Sequence, residues 1–254
     1  MLRSLNTLIG HSLDAVDGHI GGSSDFLFDD QDWVIRYMVA DTKKWLPGRK
    51  VLIASSALLK PDWDNHRFPI ELTKHQIETS PPLDEHAPVS REYEILFHKH
   101  FGYATYWDMP FLGDTFPGMS RGPSRQEPIW SEDMADDYEQ AKHNHLRSVA
   151  EVMGYRIHAY DGQIGQVKDF IIDDETWKIR WLVVDTRRIL PGPKVPLPPA
   201  WVESIVWGNN QVQVNLFVDQ IRTSPEFDPA LIISEEYERK VAEHYMRQKS
   251  GTAT

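Results

Sequence analysis

The chain of 254 residues contains no cysteine, which excludes disulfides, thiolate nucleophiles and cysteine-ligated zinc or iron–sulfur centres. Long apolar runs are missing as well. The opening residues Met1 to His11 contain no apolar leader core of roughly seven residues, and no later stretch approaches the ~18 that a membrane-spanning helix requires. The expectation is a cytoplasmic protein without membrane insertion. Positive charge is scarce: 27 Lys and Arg stand against 38 Asp and Glu, a formal charge of -11. Nucleic acid is therefore excluded as an expected partner, because neutralising phosphates takes a basic surface. Reaction motifs are absent too, with no Walker A loop, nucleophile elbow, His-Glu-x-x-His helix or Gly-rich dinucleotide fingerprint. No catalytic residue, metal ligand or cofactor is assigned, and a non-enzymatic role is expected.

What the chain does have is a duplication. Residues 8–101 align with residues 152–245 at a constant offset of 144 without a gap, and about 35 of about 94 positions are identical. Asp17-Gly18 recurs as Asp161-Gly162, Ile20-Gly21 as Ile164-Gly165 and Asp25-Phe26 as Asp169-Phe170. Trp33, Ile35, Arg36, Val39, Asp41 and Thr42 recur as Trp177, Ile179, Arg180, Val183, Asp185 and Thr186. Most of these are turn formers, buried apolar residues and caps, so they describe a scaffold. Hydrophobic residues make up 41% and charged ones 26%, the balance of a globular protein. Each copy is long enough to bury a core of its own.

One copy can be read residue by residue. Leu13 to Val16 is apolar and runs into Asp17-Gly18, a hairpin signal because both residues tolerate positive φ. A second strand follows from about Ile20 to Phe28, with Gly21-Gly22 marking a bulge. Asp29-Asp30-Gln31-Asp32 breaks the pattern. Trp33 to Asp41, rich in aromatic and β-branched residues, predicts a third strand, Lys50 to Ala54 a fourth and Arg67 to Leu72 a fifth. In the second copy Gln211 to Val218 alternates polar and apolar, which implies one wet and one buried face. Five or so short antiparallel strands closing on themselves is the economical arrangement. Ser90 and Ser234 then stand where helix N-caps belong, each followed by an apolar stripe at helical spacing.

Three segments divide the chain: a first domain at 1–101, a connector at 102–147 and a second domain at 148–254. The connector carries Tyr103, Tyr106, Trp107, Phe111 and Phe116, and large rings order a segment by burial. Tyr106, Trp107, Phe111 and Phe116 are the candidate partner-binding residues, with sealing of the space between the two domains as their competing role. Glu132 to Arg147 reads as a helix leading into the second copy. The acidic turns Asp29-Asp30-Gln31-Asp32 and Asp173-Asp174-Glu175 could ligate a hard cation, though they lack EF-hand spacing. His98 with His100, and His143 with His145, are poor chelates, since residues two apart on a helix face different directions.

The run Asp17-Gly18 with Ile20-Gly21, Asp25-Phe26-Leu27-Phe28-Asp29 and Val39-Ala40-Asp41, with its second occurrence from Asp161 to Phe170, resembles the PRC-barrel domain. That family is named for the cytoplasmic domain of the photosynthetic reaction-centre H subunit, and also supplies the C-terminal domain of a ribosome-maturation factor. The resemblance implies a mainly β fold of two small antiparallel β-barrels, each followed by a C-terminal helix and related by an approximate internal two-fold. It further implies a bacterial adaptor or assembly protein that binds a protein partner or itself as a homo-oligomer. The alternative is a metal- or small-molecule-binding module that uses the acidic turns or the inter-barrel cleft.

Overall fold

A computed structural model describes residues 1–42, 45–46, 49–83, 89–107, 145–187, 192–206, 209–229 and 233–251. The chain opens with a short strand, β1 (Leu2–Ser4), and continues into the hairpin β2 (Ser12–Ala15) and β3 (Gly18–Asp29). Strands β4 (Val34–Asp41), β5 (Lys50–Ala54) and β6 (Arg67–Pro69) follow, then helices α1 (Lys74–Glu78) and α2 (Arg91–Phe101). The second copy is introduced by β7 (Leu146–Ser148) and the single turn α3 (Val149–Val152). It continues with β8 (Arg156–Ala159), β9 (Gly162–Asp173), β10 (Ile179–Asp185), β11 (Lys194–Leu197), β12 (Val202–Val206) and β13 (Gln211–Val214), and ends with α4 (Val218–Arg222) and α5 (Glu235–Gly251). The protein is mainly β, with two multi-stranded sheets.

The first hairpin turns one residue earlier than Asp17-Gly18 implies: Ala15 pairs with Gly18, so Val16 and Asp17 form the two-residue loop and Gly18 opens β3. Asp17 has a second task, because its carboxylate accepts the Lys74 N–H at 2.8 Å, and Asp161 accepts the Val218 N–H at 2.8 Å in the second copy. The repeated Asp therefore ties each hairpin to a helix start, where a negative group complements the exposed N–H donors. The register of β2 on β3 slips between Leu13 and Asp14, next to Gly21, as a bulge requires. Ser90 and Ser234 accept the backbone N–H groups of Tyr93 and Tyr237, each at 3.2 Å, as N-caps do.

Two differences from the expected strand pattern have physical causes. β2 and β6 run parallel, as do β8 and β13. In the second copy β13 is the sixth strand and is antiparallel to β12, so β11 and β12, which are not hydrogen-bonded neighbours, share one sense, and the strand returning beside β8 is therefore parallel to it. The sheets follow the orders β5-β4-β3-β2-β6 and β11-β10-β9-β8-β13-β12. Among the described residues β5 and β6, and likewise β11 and β12, are not hydrogen-bonded neighbours, so neither ladder closes into a ring. The second difference is β12, which has no full counterpart. Its residue Ile205 pairs with Val212, whereas the first copy has Pro61 there, which lacks the N–H a ladder needs. Only isolated bridges remain, Leu58 to Ile70 and Asp62 to Arg67.

The chain divides into two compact units that do not follow the repeat boundaries. One comprises Leu8–Gln31 and Ile35–Leu146, the other Met1–Thr7, Asp32–Val34 and Arg147–Thr254. The reason is an exchange of leading strands. β1 precedes the first copy but pairs with β9 of the second, with Leu2 opposite Asp173, Arg3 opposite Ile172 and Ser4 opposite Ile171. β7 precedes the second copy and pairs with β3 of the first. Both carry the same three residues, Leu-Arg-Ser, at the same offset of 144, so the duplication begins earlier than residue 8. The expected helix at 132–147 lies outside the described residues up to 144, and its end is strand instead, because Leu146 serves a sheet.

In the first unit Leu27, Tyr37, Val39, Leu52, Ala54, Phe97 and the exchanged Leu146 form a buried cluster. In the second, Leu5 of the leading segment is fully buried, as are Ile171, Ile172, Leu182 and Val184.

Gly21 and Gly165 are the positions where only glycine fits. Their φ values are +136° and +59°, and an added Cβ would lie 2.0 Å and 1.6 Å from the carbonyl oxygens of Asp41 and Asp185. Replacing Gly165 with Ala combines backbone strain with a clash against main chain, and should cost at least about 2 kcal/mol. The check is the denaturant midpoint of Gly165→Ala against that of Gly154→Ala, where an added Cβ meets nothing within 4 Å. Both positions have positive φ, so the clash makes the difference.

Candidate functional site

Helix α2 presents Arg91, Glu94 and His98 at spacings of three and four, hence on one face. β4 brings Tyr37 beneath that face. After α2, Gly102 takes the left-handed conformation at φ 66° and the Tyr103 N–H caps the His98 carbonyl at 2.9 Å, a turn that folds the chain back over the helix. Tyr106 and Trp107 are thereby laid against α2.

These residues form a closed polar network. Glu94, 1% exposed, accepts the hydroxyls of Tyr37 at 2.9 Å and Tyr106 at 2.7 Å on Oε1, and pairs with Arg91 at 2.9 Å through Oε2. Arg91 also donates to the Tyr106 hydroxyl at 3.2 Å and lies 4.1 Å from the Trp107 ring centre. Arg36 stacks over Tyr106 at 4.0 Å while pairing with the buried Asp29 at 3.3 Å. The Tyr37 hydroxyl stands 2.8 Å from His98 Nε2, and His98 Nδ1 lies 3.0 Å from the Ala104 carbonyl, which can only accept. Tyr37 has a single proton. If it donates to Glu94, His98 must be protonated on both nitrogens; if it donates to His98, the hydrogen bond to Glu94 needs a protonated carboxyl.

Burial drives the electrostatics. It pushes the Glu94 carboxyl above its usual range, against the opposing pull of Arg91 and the two tyrosine hydroxyls. It holds Tyr37 and Tyr106 well above ordinary phenols, with the Glu94 charge adding to the effect. Tyr93 and Tyr103 are each raised to about 12, burial being the main cause.

The second copy lacks this network. Trp181 and Ala242 stand where the first copy has Tyr37 and His98, so one larger ring and one smaller side chain replace a hydrogen-bonded pair. Glu238, the counterpart of Glu94, makes a partly exposed 3.7 Å contact with Arg180, its one side-chain ion pair among the described residues. The signal in the sequence was this divergence within an otherwise matched helix face.

Of the four sequence-derived candidates, Tyr106 and Trp107 are pinned, with the Tyr106 hydroxyl directed inward to Glu94; Phe111 and Phe116 lie outside the described residues. The acidic turns are engaged internally. Asp29 holds Arg36, Asp30 contacts His145 at 3.3 Å, Asp173 accepts the N–H groups of Glu175 and Thr176, and Asp174 pairs with Arg3 at 3.3 Å. Among the described residues no group of three or more His, Asp or Glu is placed to hold a metal ion. An open depression of about 500 Å³ is lined by Gly192, Lys194, Glu226, Phe227, Asp228 and Pro229. Among the described residues no helix is long and apolar enough to cross a membrane.

Residues that the sequence reading missed are Tyr160 and Phe217. They replace Val16 and Thr73 of the first copy; Tyr160 lies in the turn of the second hairpin and Phe217 at the N-cap of α4, 63% and 42% exposed, with ring centres 5.6 Å apart. A scan of the chain against protein-family models finds no match, and a search of curated proteins finds none.

Two outcomes test the network. Glu94→Ala leaves Arg91, Tyr37 and Tyr106 without their buried acceptor and should cost about 3–5 kcal/mol, whereas Glu238→Ala at the matched position should cost less than about 1 kcal/mol; chemical denaturation of both variants decides. The second is alkaline. A raised tyrosine pKa contributes stability that is complete below the unfolded value of about 10 and is lost as pH climbs towards the folded value. Tyrosinate absorbance should therefore rise together with loss of near-ultraviolet circular dichroism, and the Tyr37→Phe variant should move that transition to higher pH relative to its stability at neutral pH.

Proposed function

We propose that the chain is a non-enzymatic adaptor or assembly protein of the PRC-barrel type, its two repeats acting as small barrels that bind a protein partner or a second copy of the chain. Two features support this reading. The duplicated residues build turns, caps and strand exchange, and among the described residues the Glu94 network is spent on pinning Tyr106 and Trp107 to α2.

The observation that carries the proposal is the exposed aromatic pair Tyr160 and Phe217. Large rings left in water, one in a hairpin turn and one at a helix start, are costly to solubility and enriched where proteins meet, because they bury much area with little loss of side-chain freedom. The first copy, with Val16 and Thr73 in their place, would not bind in the same way. The divergence gives the two repeats separate duties, one closed around its own connector and the other presenting an exposed aromatic pair.

Affinity capture from a native extract with the tagged full chain, compared with the Tyr160→Ser/Phe217→Ser double variant, tests the reading. One protein recovered in fixed proportion by the parent chain and lost from the variant, at unchanged melting temperature, is the expected result. A monodisperse monomer that retains no protein would overturn it.

A further inference from the structure

The edge of β9 on which the leading segment lies is a built docking site. The Ser4 hydroxyl donates to Asp169, whose other oxygen accepts the Asn6 N–H at 3.1 Å. The Asn6 side-chain amide donates to the Lys168 carbonyl at 2.9 Å, Arg3 reaches Asp174 at 3.3 Å, and Leu5 is wholly buried. Beyond the residues that β8 covers, Gly162 to Gln166, the edge of β9 from Ile171 to Asp173 is paired, among the described residues, through this segment alone.

The same docking is made twice in one register. The Asp174 N–H donates to the Met1 carbonyl at 2.9 Å, and 144 positions earlier the Asp30 N–H donates to the His145 carbonyl at 3.0 Å. The segments also leave the body alike: Gly10 and Gly154 have φ of +86° and +98°, and their N–H groups donate to Ser23 and Val167 at 2.8 Å each.

We propose that the β9 edge also accepts residues 1–7 of a second copy of the chain, so that two copies exchange leading strands through the contacts found within one. The proposal deepens the self-association side of the function given above by naming the surface and the partner. Its contacts join residues more than 160 positions apart, and none of them depends on segment and edge sharing a chain. Only effective concentration separates the internal from the exchanged form, and for a tethered strand that is of the order of millimolar. Strand exchange costs little because the same bonds are remade. A monomer is favoured in dilute solution, and exchanged dimers accumulate as concentration rises or where a partner gathers copies together.

The absence of cysteine makes the test clean. Asn6 and Lys168 are both exposed and adjacent. An isotope-labelled Asn6→Cys chain and an unlabelled Lys168→Cys chain are mixed, held at high concentration, diluted and treated with a short bis-maleimide, and products are read by intact mass. Mixed dimers in severalfold excess over like pairs, growing with the concentration of the incubation, are expected. A chain carrying both cysteines should cross-link internally, which reports folding and reach together. Mixed dimers no more frequent than like pairs, with the internal cross-link intact, would overturn exchange between copies while leaving the capture result untouched. A folded double variant that fails to cross-link internally would overturn the docking site itself.

Discussion

Both sheets depend on what covers the far half of a long strand. β3 and β9 are twelve residues long, whereas their hairpin partners β2 and β8 are four. Backbone N–H and C=O groups past the end of a short partner need another strand, since an unpaired edge is costly when buried and adhesive when exposed. The Leu-Arg-Ser segments meet that need. Because each comes from the copy that did not build the strand, neither repeat has a complete sheet without the other's residues.

Several otherwise puzzling features follow from that constraint. The acidic turns after β3 and β9 look like cation sites in isolation, yet Asp30 and Asp174 receive the ends of the exchanged strands through main-chain bonds at 3.0 and 2.9 Å. Asp169 is nearly buried because it is the acceptor for Ser4 and Asn6. Leu146 belongs to the core around Phe97 although it stands 49 or more positions from every other buried member of that cluster. Duplication preserved these residues because each copy still completes the other's sheet.

Where the copies differ, they differ in concert. Tyr37 with His98 and Trp181 with Ala242 are two solutions to one packing problem, the space between a strand and the helix above it. The first costs desolvation of Glu94 and Arg91, which three short hydrogen bonds offset, and it fixes Tyr106 and Trp107 in return. The second fills the space with a ring, leaving Glu238 near solvent. A buried ion pair is weak as a net stabiliser but strict about geometry, which suits a segment that must be held in one place.

Hairpins, bulges, caps and most strand positions were legible from the residues, because Asp-Gly, Gly-Gly, Ser before a helical stripe and β-branched runs act over a few bonds. The same holds for the duplication, though Leu-Arg-Ser was too short to register as part of it. The parallel pairing of β2 with β6 needed the strand order in three dimensions, and the first copy, with Pro61 and Pro69 in the matched stretch, keeps only isolated bridges where the second has β12. The Glu94 network was invisible because its members lie 57 and 61 positions apart and gain meaning only when burial removes water. Sequence alone determined the two repeats and most of their turns and caps, since those rest on matched residues and local conformational preferences. Which copy supplies the strand that completes each sheet, and which of two matched glutamates is buried, was decided by tertiary structure, because strand pairing and desolvation join residues that the chain keeps far apart.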